Sequence, residues 1–133
     1  MEPADPGSTS VQQVPPEEEF SAYLPHIRRR WEARREAGER RRQEAWEAAR
    51  QVAGLLRSRF GAACVIAFGS LVHPGLFSEH SDVDLAVSGI DAGDFFKAWA
   101  VAGHACPFQL DLVDLHDCSP ALRHLIEEEG VEL

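Results

Sequence analysis

Long apolar runs are missing from this 133-residue chain. Nothing in it approaches the roughly 18 consecutive apolar side chains that a membrane-spanning helix needs, so no membrane association is expected. The N-terminus is acidic and Pro-rich and lacks a basic-then-apolar leader, so it does not read as a signal peptide. Cysteine is scarce: Cys64, Cys106 and Cys118 are odd in number and lack metal-type spacing. They read as reduced, mostly packed thiols, which points to the cytoplasm. None of the six histidines forms a His-x-x-x-His pair, so a zinc centre is not expected. No Ser-His-Asp or Cys-His-Asp order stands out, and no internal repeat is visible.

Basic residues are nearly absent from the second half. Residues 60–133 hold two basic and twelve acidic side chains, a balance of −10, with Lys97 and Arg123 as the two cations. Residues 26–59 hold eleven arginines and five glutamates, a balance of +6. The net charge of −9 conceals this division. A duplex-binding domain shows a basic face on its folded core, and here the core has the opposite sign. Nucleic acid is accordingly not the expected partner. A free nucleotide carried in with magnesium fits the charge better.

The length suits one domain with peripheral segments. Residues 1–16, rich in Pro, Ser, Gly and Gln, are expected to form a disordered tail. Residues 17–59 form an N-terminal helical region, with Pro25 suited to a first helical turn. Within it Trp46, Ala49, Ala53, Leu56 and Phe60 recur at steps of three and four, a stripe that should dock on a sheet. From Glu32 to Glu44 no apolar side chain is larger than Ala, so this Arg-rich section is expected to project. Ile27 and Trp31 beyond it then need a cover. The section reads either as a solvated face with i, i+4 pairs or as a contact surface for another chain or for a hairpin with residues 17–24, and nucleic-acid contact is the third reading.

Residues 60–133 form the core. Gly61 ends the long helix, and Ala63 to Phe68 reads as a buried strand. A second strand covers about 82–88, and Phe95, Phe96 and Trp99 mark an amphipathic helix to about Gly103. A third strand follows Pro107, and Ser119-Pro120 opens a last helix ending at Gly130. Strands and helices in this order make an α/β sandwich.

The chemistry concentrates between Gly69 and Val87. Val83, Leu85 and Val87 alternate with Asp82, Asp84 and Ala86, the period of a strand with one polar face. Asp82 and Asp84 then point to one side, roughly 7 Å apart. At an effective dielectric of about 20 they repel by roughly 2 kcal/mol. Beside a packed core that repulsion needs compensation, and a hard divalent cation such as magnesium prefers carboxylate oxygens. Gly69 and Ser70, at the end of the preceding strand, offer backbone N–H groups and a hydroxyl in a turn tight enough to approach a phosphate. The bland alternative is a strand with two solvent-facing aspartates after a polar loop.

Gly-Ser, a spacer of eleven residues from Leu71 to Ser81, then Asp-x-Asp in an apolar strand resembles the nucleotidyltransferase superfamily that includes DNA polymerase beta. Within it the chain is similar to the minimal nucleotidyltransferase (MNT) branch, over about residues 50–133. The resemblance implies a nucleotidyltransferase fold with a small mixed sheet of three or four strands. It also implies a third metal-binding Asp on a later strand. Asp111 matches the family's apolar-Asp-apolar pattern, and a strand-interior carboxylate needs a partner more urgently than Asp114 near the strand end. Asp114 and Asp117 then face the loop and cap the last helix. One departure stands out: Val72-His73-Pro74-Gly75 replaces the Ala-Arg-Gly that usually follows Gly-Ser-x, and His is a weaker, pH-dependent cation.

The function that the resemblance implies is magnesium-dependent transfer of AMP from ATP to a hydroxyl. Asp82 and Asp84 would hold two Mg2+ ions, Asp111 would complete the catalytic one, and Gly69 and Ser70 would hold the terminal phosphates. Proteins resembling this one are often paired with a HEPN-domain ribonuclease toxin and act as its antitoxin by adenylylating a tyrosine. A HEPN-type toxin is therefore the expected partner, alongside self-association through the N-terminal helix. The alternatives are a binding module that has lost catalysis and a transferase for a small-molecule, antibiotic-type acceptor.

Overall fold

The computed structural model describes the backbone from residue 17 and side chains from residue 24, so the expected tail over 1–16 lies outside the described residues. Helix α1 (Glu17–Phe60) runs through Pro25, so this proline lies inside the helix and not at its first turn. The chain divides into two compact units, up to Glu36 and from Ala37 onward. In the first unit the side chains from Arg28 to Glu36 are exposed, and Trp31 is 64% exposed.

The second unit carries the sheet. Its strands are β1 (Cys64–Phe68), β2 (Val83–Ser88), β3 (Leu110–Asp114) and β4 (Val131–Glu132), in the order β3-β2-β1-β4. β1 is antiparallel to β2 and β4, whereas β2 and β3 are parallel. A loop joins the antiparallel pair β1–β2, while helix α2 (Phe95–Ala105) makes the crossover that the parallel pair requires. Helix α3 (Pro120–Glu129) follows β3 and is capped by the Ser119 hydroxyl, which accepts from the Leu122 N–H. This is the mixed α/β sandwich that the sequence predicts, with four strands.

The period of two along each strand sorts the side chains onto two faces. One face sets Val65, Ala67, Val83 and Leu85 against α1 and α2 in the larger core. The α1 seam is made of Ala45, Ala48, Ala49, Val52, Ala53 and Leu56, all buried, while Trp46 and Phe60 sit at its margin. Ala49, Ala53 and Leu56 of the predicted stripe thus lie in the seam, which is turned away from Trp46 and Phe60 toward Ala45, Ala48 and Val52. Alanines carry the contact, and their small side chains suit close approach of the helix to the sheet. The opposite face holds a smaller cluster, Phe68, Ala86 and Ile126, covered by α3 with help from Leu122. Asp84 and Asp111 share the parity of Ala86 and Val113, so they belong to this second face.

The Arg-rich section does not project along its whole length. Arg42 Nε donates to the Leu71 carbonyl at 2.7 Å. Arg41 donates to the carbonyls of Ser78 and Glu79 at 3.3 and 3.2 Å, and its guanidinium lies 4.8 Å from the Phe108 ring centre. A Cβ on Gly38 would come within 3.2 Å of the Phe77 carbonyl, so α1 and the β1–β2 loop pass close at this point. The stretch without large apolar residues docks through guanidinium donors on loop carbonyls, charge-assisted bonds that need no apolar side chain.

Candidate active site

β1 ends at Phe68 and enters a tight 3-10 turn over Gly69–Val72. Gly69 has φ of +74°, a left-handed conformation that costs any residue with a Cβ about 1–2 kcal/mol. A Cβ there would also stand 2.5 Å from Asp84 Oδ2. The glycine is therefore needed twice, for the turn and for the close approach of the carboxylate. Ser70, half-buried beside it, gives its carbonyl to the His73 N–H at 3.2 Å.

Sheet register brings the acidic residues together. Asp84 pairs with Phe68 of β1 on one side and with Asp111 of β3 on the other. Asp82 lies two residues before Asp84, just ahead of β2, and is half-buried. None of the three has a cationic partner among the described residues. Asp84 feels this most. Burial, reinforced by the neighbouring charges of Asp111 and Asp82, pushes its carboxyl up to about 6.

Asp111 itself is exposed, between the buried Leu110 and Leu112 of an edge strand. The expectation that an interior position forces this residue to find a partner is thus corrected. Its place opposite Asp84 comes from the parallel register instead. Asp114 accepts from the His116 N–H at 2.9 Å and serves the β3–α3 loop, while the cap of α3 is Ser119 itself. Arg123 spends both Nε and Nη2 on the Leu115 carbonyl, a structural use of that cation. His73 Nε2 lies 3.2 Å from Glu129 Oε2 at the end of α3.

The donor set suits a hard divalent cation: carboxylates on two adjacent strands, with mutual repulsion that a bound cation would relieve. Among the described residues no group of three His, Cys, Asp or Glu side chains stands in a geometry that could hold a metal ion. The aspartates therefore share one region without closing a preformed cage. Arg41 and Arg42, which tie down both ends of the loop between Ser70 and Asp82, escape sequence reasoning. Three arginines in a row carry no sign that two of them bond to distant carbonyls.

The raised Asp84 carboxyl sets a pH dependence. Between pH 4 and 6 the native chain retains a proton that the unfolded chain has lost, from an ordinary value of 3.8. The unfolded state then binds fewer protons, so stability falls as pH rises through this window. The loss should be about 1 kcal/mol once solvent screening of a half-exposed group is allowed for. Urea titrations of the metal-free protein at pH 4.5 and 7.5, compared with those of an Asp84→Asn variant, isolate the contribution. The pH-dependent difference between the two proteins should follow this sign.

No family model matches the chain, and no curated protein matches it. Solved structures do. A chain of the toxin–antitoxin MntA–HpeT Y-to-A mutant superposes with a TM-score of 0.54 at 27% identity, covering 63% of this chain and 69% of that one. A toxin–antitoxin crystallised with AMP-PNP gives 0.56 at 25% identity, over 63% and 70%. The tri-AMPylated Shewanella oneidensis HEPN toxin in complex with its MNT antitoxin gives 0.51 at 22% identity, over 66% and 70%. No helix among the described residues is long and apolar enough to cross a membrane. In its fold, a mixed four-stranded sheet with helices, this chain is similar to the minimal nucleotidyltransferase antitoxins of toxin–antitoxin pairs.

Proposed function

We propose that this protein transfers AMP from ATP to a hydroxyl of a HEPN-type partner protein and so acts as an antitoxin. The observation that carries the reading is Asp84: a half-buried carboxylate at a strand junction, opposed by Asp111 and Asp82, with no cationic side chain among the described residues to balance it. Such an arrangement costs stability and makes sense where a cation and a nucleotide arrive together. The likeness to a toxin–antitoxin structure holding AMP-PNP supports nucleotide as the ligand. The AMPylated HEPN toxin in a further neighbour supports the acceptor class.

In this reading Asp82 and Asp84 would hold two Mg2+ ions, with Asp111 completing the set of ligands for the catalytic one. Bound there, the ions would supply Lewis-acid polarisation of the α-phosphate and charge neutralisation of the departing pyrophosphate. The Gly69–Val72 turn presents N–H groups and the Ser70 hydroxyl to the terminal phosphates. Asp111, exposed on the edge strand, takes the proton of the incoming hydroxyl. The acceptor oxygen forms a bond to the α-phosphorus as the bond to the bridging oxygen breaks, and pyrophosphate leaves.

Incubation with α-labelled ATP, Mg2+ and a HEPN-domain partner tests this directly. Label on a partner tyrosine is the expected result, and label that never leaves the nucleotide pool counts against it. A second reading, an antitoxin that acts by contact alone, draws on two observations: His73 is engaged by Glu129, and the carboxylates form no preformed cage. Calorimetry separates the readings, because the contact-only protein binds no Mg·ATP at millimolar concentration.

A further inference from the structure

We propose that Arg42 is a positioning residue for the nucleotide: from α1 it fixes the Gly69–Val72 turn in the shape that grips the terminal phosphates. The inference rests on the nucleotide-binding reading above. It begins with an unusual use of an arginine. Arg42 Nε donates to the Leu71 carbonyl at 2.7 Å, while Nη1 lies 3.2 Å from Glu39 Oε1. Its side chain is only 14% exposed, against 44% for Glu39. A solvated i, i+3 pair would contribute little. A largely buried guanidinium on a turn carbonyl is a short, charge-assisted bond with a fixed direction.

That direction matters because the carbonyl belongs to the turn. Leu71 directly follows Ser70, and its side chain is fully buried. The turn is thus held by an apolar anchor inward and by its carbonyl on Arg42. In a trans peptide the C=O and the following N–H point in opposite directions. Fixing the Leu71 carbonyl on α1 therefore aims the Val72 N–H away from α1. Likewise, the Ser70 carbonyl, engaged by the His73 N–H, fixes the direction of the Leu71 N–H. Because α1 packs on the face of the sheet opposite to Asp84, pointing away from α1 means pointing to the side where a nucleotide on the carboxylates would lie.

Arg41 does the same for the far end of the loop. It donates to the Ser78 and Glu79 carbonyls, four and three residues ahead of Asp82. Two consecutive arginines of one helix therefore set the positions of both the phosphate turn and the start of the Asp-x-Asp strand.

The test is calorimetric. Affinities for Mg·ATP and for AMP are measured on the full chain, on Arg42→Gln and on Arg42→Lys. Arg50→Gln, at a 60% exposed position of the same helix, is the control. Loss of a hydrogen bond from a charged donor should weaken Mg·ATP binding about tenfold in Arg42→Gln. AMP, which offers the turn no terminal phosphate, should bind as before, and Arg50→Gln should change neither affinity. Lysine, with one ammonium to serve Glu39 and Leu71, should recover only part of the loss. An equal loss for both nucleotides, or none, overturns the positioning role while leaving the nucleotide site standing. Failure of the unaltered protein to bind Mg·ATP removes both together. If Arg42→Gln does not fold, Arg42→Lys is judged alone: a loss confined to ATP supports the role, and its absence overturns it.

Discussion

Asp84→Asn should reduce AMP transfer by about a thousandfold or more, and at pH 8 it should make the metal-free protein more stable. The two effects have one cause. Replacing a carboxylate by an amide removes a ligand charge from the proposed cation site, and metal-centred stabilisation of the transferring phosphate contributes several kcal/mol, about one decade of rate for each 1.36. The same replacement removes a charge that the fold holds at a cost, since Asp84 ionises only near 6 against burial and against Asp111 and Asp82. Relief of that cost should be about 1 kcal/mol, or roughly 4–8 °C in Tm for a domain of this size. Activity assayed with α-labelled ATP and melting followed by circular dichroism check both signs on one protein. A variant that loses both activity and stability would show that Asp84 serves the fold, and the case for a cation site would fall with it.

What the sequence makes legible is local. The alternation from Asp82 to Val87 marks a strand with one polar face, and Gly69 with Ser70 marks a tight turn. Both are patterns within a few residues. Asp111 is picked out correctly as lying on a strand, but the argument from burial fails because strand order is not a local property. Nothing between Phe108 and Leu115 announces that β3 occupies the sheet edge, or that its parallel register sets Asp111 opposite Asp84. β4, at two residues, is too short to show any period. On α1 the predicted stripe holds for Ala49, Ala53 and Leu56, but it is centred on Trp46 and Phe60 at the margin and misses the buried Ala45, Ala48 and Val52. Arg41 and Arg42 are the plainest case. Their partners are main-chain carbonyls of Ser78, Glu79 and Leu71, and a carbonyl has no residue identity to read.

Gly69→Ala should cost no more stability than Gly61→Ala and yet abolish nucleotide transfer. Both glycines are left-handed, with φ of +74° and +73°. An alanine at either position should lose about 1–2 kcal/mol from backbone strain alone. They differ in what a new methyl group meets. At Gly61 there is nothing within 4 Å, whereas at Gly69 it would stand 2.5 Å from Asp84 Oδ2 and 3.3 Å from Asp84 Cγ. The nearest atom is the far end of a side chain that can rotate, so the clash is relieved by swinging the carboxylate and not by opening the core. Turning Asp84 away relieves its repulsion with Asp111 if it moves outward, which limits the loss of stability further. The same motion removes the oxygen on which the proposed cation site depends. Paired urea denaturation and transfer assays on the two variants read the contrast directly. Similar stability losses with activity retained only in Gly61→Ala would tie the glycine of the turn to the carboxylate of the neighbouring strand. Equal activities would mean that the approach of Gly69 to Asp84 is a packing detail, and that the phosphate grip and the acidic cluster work independently.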